Sequence, residues 1–127
     1  MHKQALKKWI TRTITDGYKF VVGDISIVFC SDEYLLQINQ QYLQHDFYTD
    51  VITFDYSQLP TVSGDVLMSI DTIRRNAGEY HTTFEQELHR VMIHGILHLC
   101  GEKDKTPAQQ KKMREAENRY LQTMDEK

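Results

Sequence analysis

The stretch TFEQELHRVMIHGILHLCG, residues 83–101, decides how this chain is read. With His94 set at zero and a step of about 100° per residue, His98 falls at about 40°, Arg90 at about −40° and Glu87 at about 20°, so these polar side chains share one face of a helix. Leu88, Val91, Met92, Ile93, Ile96, Leu97 and Leu99 spread over the remaining circumference, as in a helix surrounded by protein. Thr82 and Glu85 stand at capping-box spacing ahead of it, and Gly101 follows Cys100 as a left-handed terminator. A polar stripe on a buried helix needs partners, because unpaired imidazoles in apolar surroundings are costly.

His94 and His98 are one helical turn apart, so both imidazoles can reach one ion at about 2 Å. That pair alone also fits two satisfied core or rim histidines. The continuation sharpens it: Gly101 breaks the helix, and Asp104 follows where a chain turning back offers a carboxylate as third ligand. Three protein ligands leave the fourth position of a tetrahedral zinc ion to water, which is the arrangement of catalytic rather than structural sites. Asp104 has a second reading as one charge in a solvated loop, Glu102-Lys103-Asp104-Lys105.

Outward from this helix, Leu6, Trp9 and Ile10 recur at helical spacing between Ala5 and Ile14, with Lys3, Lys7, Lys8 and Arg12 on the other faces. Asp24 to Cys30, Asp50 to Tyr56 and Val66 to Ile70 have the composition of strands. Ser31 caps a helix carrying Leu35, Ile38 and Tyr42, and Asp71 caps a short one that fails near Gly78. Thr106, Pro107 and Gln109 open a last helix whose Met113, Ala116 and Tyr120 form one stripe. The expectation is a single α+β domain over residues 1–127, with the 83–100 helix central, a small mixed sheet on one side and the other helices packed around it.

The chain has 127 residues, 40% hydrophobic and 26% charged, with a formal net charge of −3. Binding driven mainly by phosphate neutralisation over a generally basic surface is therefore excluded, while a local basic patch is not. No apolar run approaches the roughly 18 residues of a bilayer span, which predicts a cytoplasmic protein. Cys30 and Cys100 both sit in apolar runs and read as buried reduced thiols.

The run His94-Gly95-Ile96-Leu97-His98-Leu99-Cys100-Gly101, with Glu87-Leu88 before it and a ligand position at 104, resembles the metal-binding motif of the YbeY family of bacterial endoribonucleases and rRNA maturation factors. Thr49-Asp50-Val51-Ile52-Thr53-Phe54 and Gly64-Asp65-Val66 resemble further family segments. The family pattern has a third histidine where this chain has Asp104, and Tyr-Asp where it has Glu102-Lys103. It also places an arginine where Leu43 stands, which leaves His45 and Arg90 as the expected catalytic cations. The family begins with a strand ahead of the first helix; this chain opens at the helix, so a sheet one strand short or a truncated sequence is expected.

The resemblance implies a metal-dependent endoribonuclease of small-subunit ribosomal RNA 3′-end maturation and ribosome quality control; the expected ion is one zinc per chain, with another divalent ion as the alternative. Its implied partners are ribosomal RNA, the small subunit, and a ribosomal protein or assembly GTPase. A non-catalytic assembly factor with a structural zinc is the second reading. A metalloprotease-like hydrolase is the third, weakened because the glutamate that follows the first histidine in metzincins is Gly95 here. Arg90 also has a bland reading as the partner of Glu87, and Lys103 and Lys105 as solvated charge.

Overall fold

The computed structural model describes residues 3–42 and 49–124. Helix α1 (Lys3–Arg12) runs on into a π-helical turn at Thr13–Gly17, and strand β1 (Val21–Cys30) follows. Helix α2 (Asp32–Tyr42), strands β2 (Val51–Asp55) and β3 (Thr61–Ser69), and helices α3 (Ile70–Glu79), α4 (Phe84–Leu99) and α5 (Pro107–Thr123) complete the order. The sheet has the order β1-β3-β2, with β1 parallel and β2 antiparallel to the central β3. This is the expected α+β arrangement with a small mixed sheet. Among the described residues, no helix is long and apolar enough to cross a membrane.

Helix α4 is the core element. Leu88, Met92, Ile93, Ile96, Leu97 and Leu99 are each 1% exposed or less, so its apolar arc is covered as the periodicity requires. It lies close against the sheet at Gly95, where an added Cβ would stand 2.7 Å from Val66 Cγ1. Any side chain at position 95 would push the helix off β3. The protease-type glutamate is thus excluded by packing, since this position faces the sheet.

Helix α5 is seated by the N-terminal helix. The buried indole of Trp9 donates from Nε1 to the Tyr120 carbonyl at 2.7 Å, and Arg12 Nη2 donates to the Thr123 carbonyl at 3.1 Å. Met113, Glu117 and Tyr120 are its buried residues, so a carboxylate lies on the inward stripe of α5. His89 packs edge-on to Trp9 with ring centroids 5.9 Å apart, a packing role that accords with its position away from the His94 face.

Two caps differ from the sequence reading. The capping box of α4 is Thr83 with Gln86, one residue later than Thr82 with Glu85, because tandem threonines offer the same pattern in adjacent registers. Ser69, not Asp71, caps α3 by accepting from Thr72 N. Asp71 Oδ2 instead accepts the Asp32 backbone N–H at 3.1 Å, at the start of α2. The capping box of α5, Thr106 with Gln109 and Pro107 at the first turn, is as expected. Cys100 is a buried free thiol; Cys30 is also free but only partly covered, since it ends the edge strand β1.

Candidate metal centre

The end of α4 builds the site. Gly101 adopts φ 103°, Glu102 N donates to the Leu97 carbonyl at 3.0 Å, and Gly101 N donates to the His98 carbonyl at 3.0 Å. This Schellman closure folds the chain back over the last turn, as only a residue without Cβ does readily. The reversed segment then passes beside the imidazoles. His98 Nδ1 meets the Glu102 carbonyl at 2.9 Å, and the Glu102 side chain is clamped by the Tyr18 hydroxyl at 2.8 Å and by Lys112 Nζ at 3.4 Å. Glu102 is therefore anchored rather than a freely solvated loop acid.

Two residues on, Asp104 Oδ2 stands 3.4 Å from His94 Nε2 and 3.3 Å from His98 Nε2, and the two Nε2 atoms are 3.0 Å apart. One donor atom from each of the three residues lies within 4.8 Å of the others. A tetrahedral ion with bonds of 2.0–2.1 Å needs donors about 3.3 Å apart, so the set fits a zinc-sized cation with little movement. Both Nδ1 atoms have partners of their own, His98 the Glu102 carbonyl and His94 a Glu117 carboxylate oxygen at 2.7 Å. Both Nε2 atoms face the shared point.

The surroundings are rich in acid. Burial pushes the His94 pKa down, but the hydrogen bond and charge of Glu117, with Asp104 and Asp50, outweigh it and raise the imidazole above its ordinary value. The negative potential that favours an imidazolium there equally favours a divalent cation. Burial raises Asp50, and it raises Glu87 with help from the Asp50 charge. Glu117 is also pushed up by burial, yet hydrogen bonds from His94 and Arg90 hold its carboxyl below the usual range. Cys100 is no competing ligand, since burial, with the nearby charges of Glu102 and Asp55, pushes its thiol up to about 12.

Two grooves meet at the donors. One runs past Asp50, Glu87, Arg90, Arg114 and Glu117, and the other past Asn39, Thr49, Thr53 and Lys105 along β2. Of the residues expected from sequence, His94, His98 and Asp104 come together, and Lys105 borders the second groove. Arg90 faces α5, donating from Nη1 to Glu117 Oε1 at 2.9 Å and from Nη2 to Asn118 Oδ1 at 3.0 Å, so its partner is Glu117 rather than Glu87. His45 and Leu43 lie outside the described residues. Glu117 and Asp50 join the site from outside the ligand motif; the sequence signal for Glu117 is a carboxylate placed between Met113 and Tyr120 on an apolar stripe.

A buried helix presenting an open-faced His-His-Asp set that could hold a metal ion, beside polar grooves, is an arrangement suited to metal-assisted hydrolysis. The family model described as Endoribonuclease YbeY matches residues 1–125. Proteins named Endoribonuclease YbeY from Parabacteroides distasonis and Bacteroides thetaiotaomicron are 52% and 51% identical, covering 98% and 94% of this chain and 87% and 86% of their own lengths. A Thermotoga maritima protein solved in solution shares the fold at a TM-score of 0.65 and 28% identity, over 96% of this chain and 82% of its own. The chain belongs to the YbeY family of endoribonucleases, hydrolases of RNA phosphodiester bonds.

Proposed function

We propose that residues 1–127 act as one zinc-dependent endoribonuclease domain, with the ion held by His94 Nε2, His98 Nε2 and a carboxylate oxygen of Asp104. The substrate is ribosomal RNA at the 3′ end of the small subunit, met in the cytoplasm, with a ribosomal protein or assembly GTPase presenting it. The observation that carries this reading is the convergence of three donors at the junction of two grooves. A bound zinc ion would supply Lewis acidity toward the phosphodiester and would lower the pKa of a water in its open position to about 7.

The chain's own residues do the rest. Asp104 and the two imidazoles aim their donors at one point, and Lys105 borders the groove along β2 where a cation meets RNA phosphate. Arg90 pairs with Glu117 and acts through it, which leaves His45, in the segment ahead of β2, as the second side chain proposed to meet the RNA phosphate. Replacing His45 with Ala lowers turnover by about 10²-fold with zinc retained, in the range for loss of one transition-state donor.

Purified protein is tested on ribosomal RNA and on small subunits, with zinc and with chelator. Cleavage that stops on chelation while the fold persists supports the reading. Loss of the fold on chelation points to the structural-zinc assembly factor instead. Intact RNA and subunits with zinc-loaded protein overturn catalysis.

A further inference from the structure

Glu117 lies outside the donor set, yet it is 5% exposed and touches the site. Its two oxygens serve two partners: Oε1 accepts from Arg90 Nη1 at 2.9 Å, and Oε2 stands 2.7 Å from His94 Nδ1. Arg90 also donates to Asn118 Oδ1 at 3.0 Å, so the neighbouring residue of α5 holds the same guanidinium. A guanidinium has only donors, and an ionised carboxylate only acceptors. The ion pair with Arg90 keeps Glu117 ionised, so the proton between Glu117 and His94 belongs to Nδ1. In the neutral ring the lone pair is then on Nε2, the atom that faces Asp104 and His98.

We propose that Glu117 is a positioning residue that sets the tautomer and ring orientation of His94 for metal binding, and that Arg90 acts through Glu117 rather than on substrate. The inference rests on the metal reading above. His98 does not depend on this device, because the Glu102 carbonyl orders its ring from four residues along the chain. Removing the carboxylate charge while keeping its shape therefore strikes one of the two imidazoles. Outer partners of this kind typically alter metal affinity by about 10–100-fold.

The variant Glu117→Gln makes a specific prediction. Arg90 takes the amide oxygen, the amide NH2 turns toward His94 Nδ1, and the ring must accept there, which moves its proton to Nε2. Zinc affinity, read by competition with a chromogenic chelator, falls about 10–100-fold in a protein whose circular dichroism and apo melting stay those of a folded chain. Adding Arg90→Leu frees the amide to rotate and offer its oxygen to His94, so part of the affinity returns. A merely structural Glu117 gives the opposite order, with the double variant weaker than the single. Metal-free wild-type protein at alkaline pH supplies a readout that does not depend on zinc: long-range 1H–15N spectra place the proton of the neutral His94 ring on Nδ1, and on Nε2 in Glu117→Gln. A wild-type His94 proton on Nε2, an unchanged Kd in Glu117→Gln, or a double variant weaker than the single overturns the inference. His94→Ala separates the two readings. If wild type binds zinc no better than His94→Ala, the metal site fails and this inference with it; if wild type binds and Glu117→Gln matches it, this inference alone fails.

Discussion

His94 and His98 stand one turn apart on α4, and each has its Nδ1 occupied, but the supports differ in kind and in distance along the chain. His98 leans on the carbonyl of Glu102, delivered by the Schellman closure of its own helix. His94 leans on a buried carboxylate from α5, whose seat depends on Trp9 and Arg12 of α1. One support is local and neutral; the other is tertiary and charged. A local support forms with its helix end, whereas a tertiary one exists only when three helices have docked.

The largest effect comes from removing either ring. His94→Ala or His98→Ala should bring bound zinc, measured by metal analysis, to near background and abolish RNA cleavage. Full occupancy in the double variant would remove the site altogether, whatever the supports do.

Next in size is the local support itself. Gly101→Val forces a branched residue into the left-handed region, which costs roughly 1–2 kcal/mol, read in urea unfolding of the apo protein. Because Glu102 and Asp104 follow this turn, zinc affinity should also fall. Unchanged affinity with lowered stability would show that the turn does not position the third donor.

A smaller effect is expected at Asp32, a carboxylate hub away from the metal donors. It accepts from Ser69 Oγ and Thr72 Oγ1 and pairs with Arg75 Nη1 at 2.8 Å. Burial raises its pKa, but these bonds and the Arg75 charge outweigh it and hold the carboxyl low. Its folded value lies below the unfolded value of about 3.9, so its contribution is full above that pH and is lost as pH falls through the folded value. Asp32→Asn should cost about 1 kcal/mol at pH 7, with the gap to wild type closing below about pH 4 and zinc affinity unmoved. A gap that persists in acid would mean that charge is not what Asp32 contributes.

The smallest change is Asp104→His, which completes a three-imidazole set and should bind zinc at least as tightly, because imidazole suits zinc well. Weaker binding would mean that the returning loop is shaped for a carboxylate.

Much of this was legible from residues 83–104 alone. Helical periodicity placed His94 and His98 on one face and the apolar arc of α4 in the core, and Gly101 marked the reversal that brings Asp104 back. These features depend on contacts within a few turns of chain, which spacing encodes directly. Residue type also fixed the protease question, although the reason Gly95 must be glycine, its contact with Val66, came from the packing of helix on sheet.

What lies beyond one helix was set by docking. Glu117 reads in isolation as a solvent-facing acid, because a lone carboxylate is costly to bury; it is inside only because Arg90 and His94 arrive from α4 to pair with it. Glu102 reads as a charge in a polar loop until Tyr18 and Lys112 close on it. The parallel pairing of β1 with β3 joins strands separated by α2 and β2, and no local pattern names that partner. The sequence by itself determined the ligand-bearing helix and its reversal, since both follow from backbone periodicity and one glycine. Only the tertiary structure decided which buried charges support the ligands, since a charge is stable inside the protein only where its partners from other elements converge.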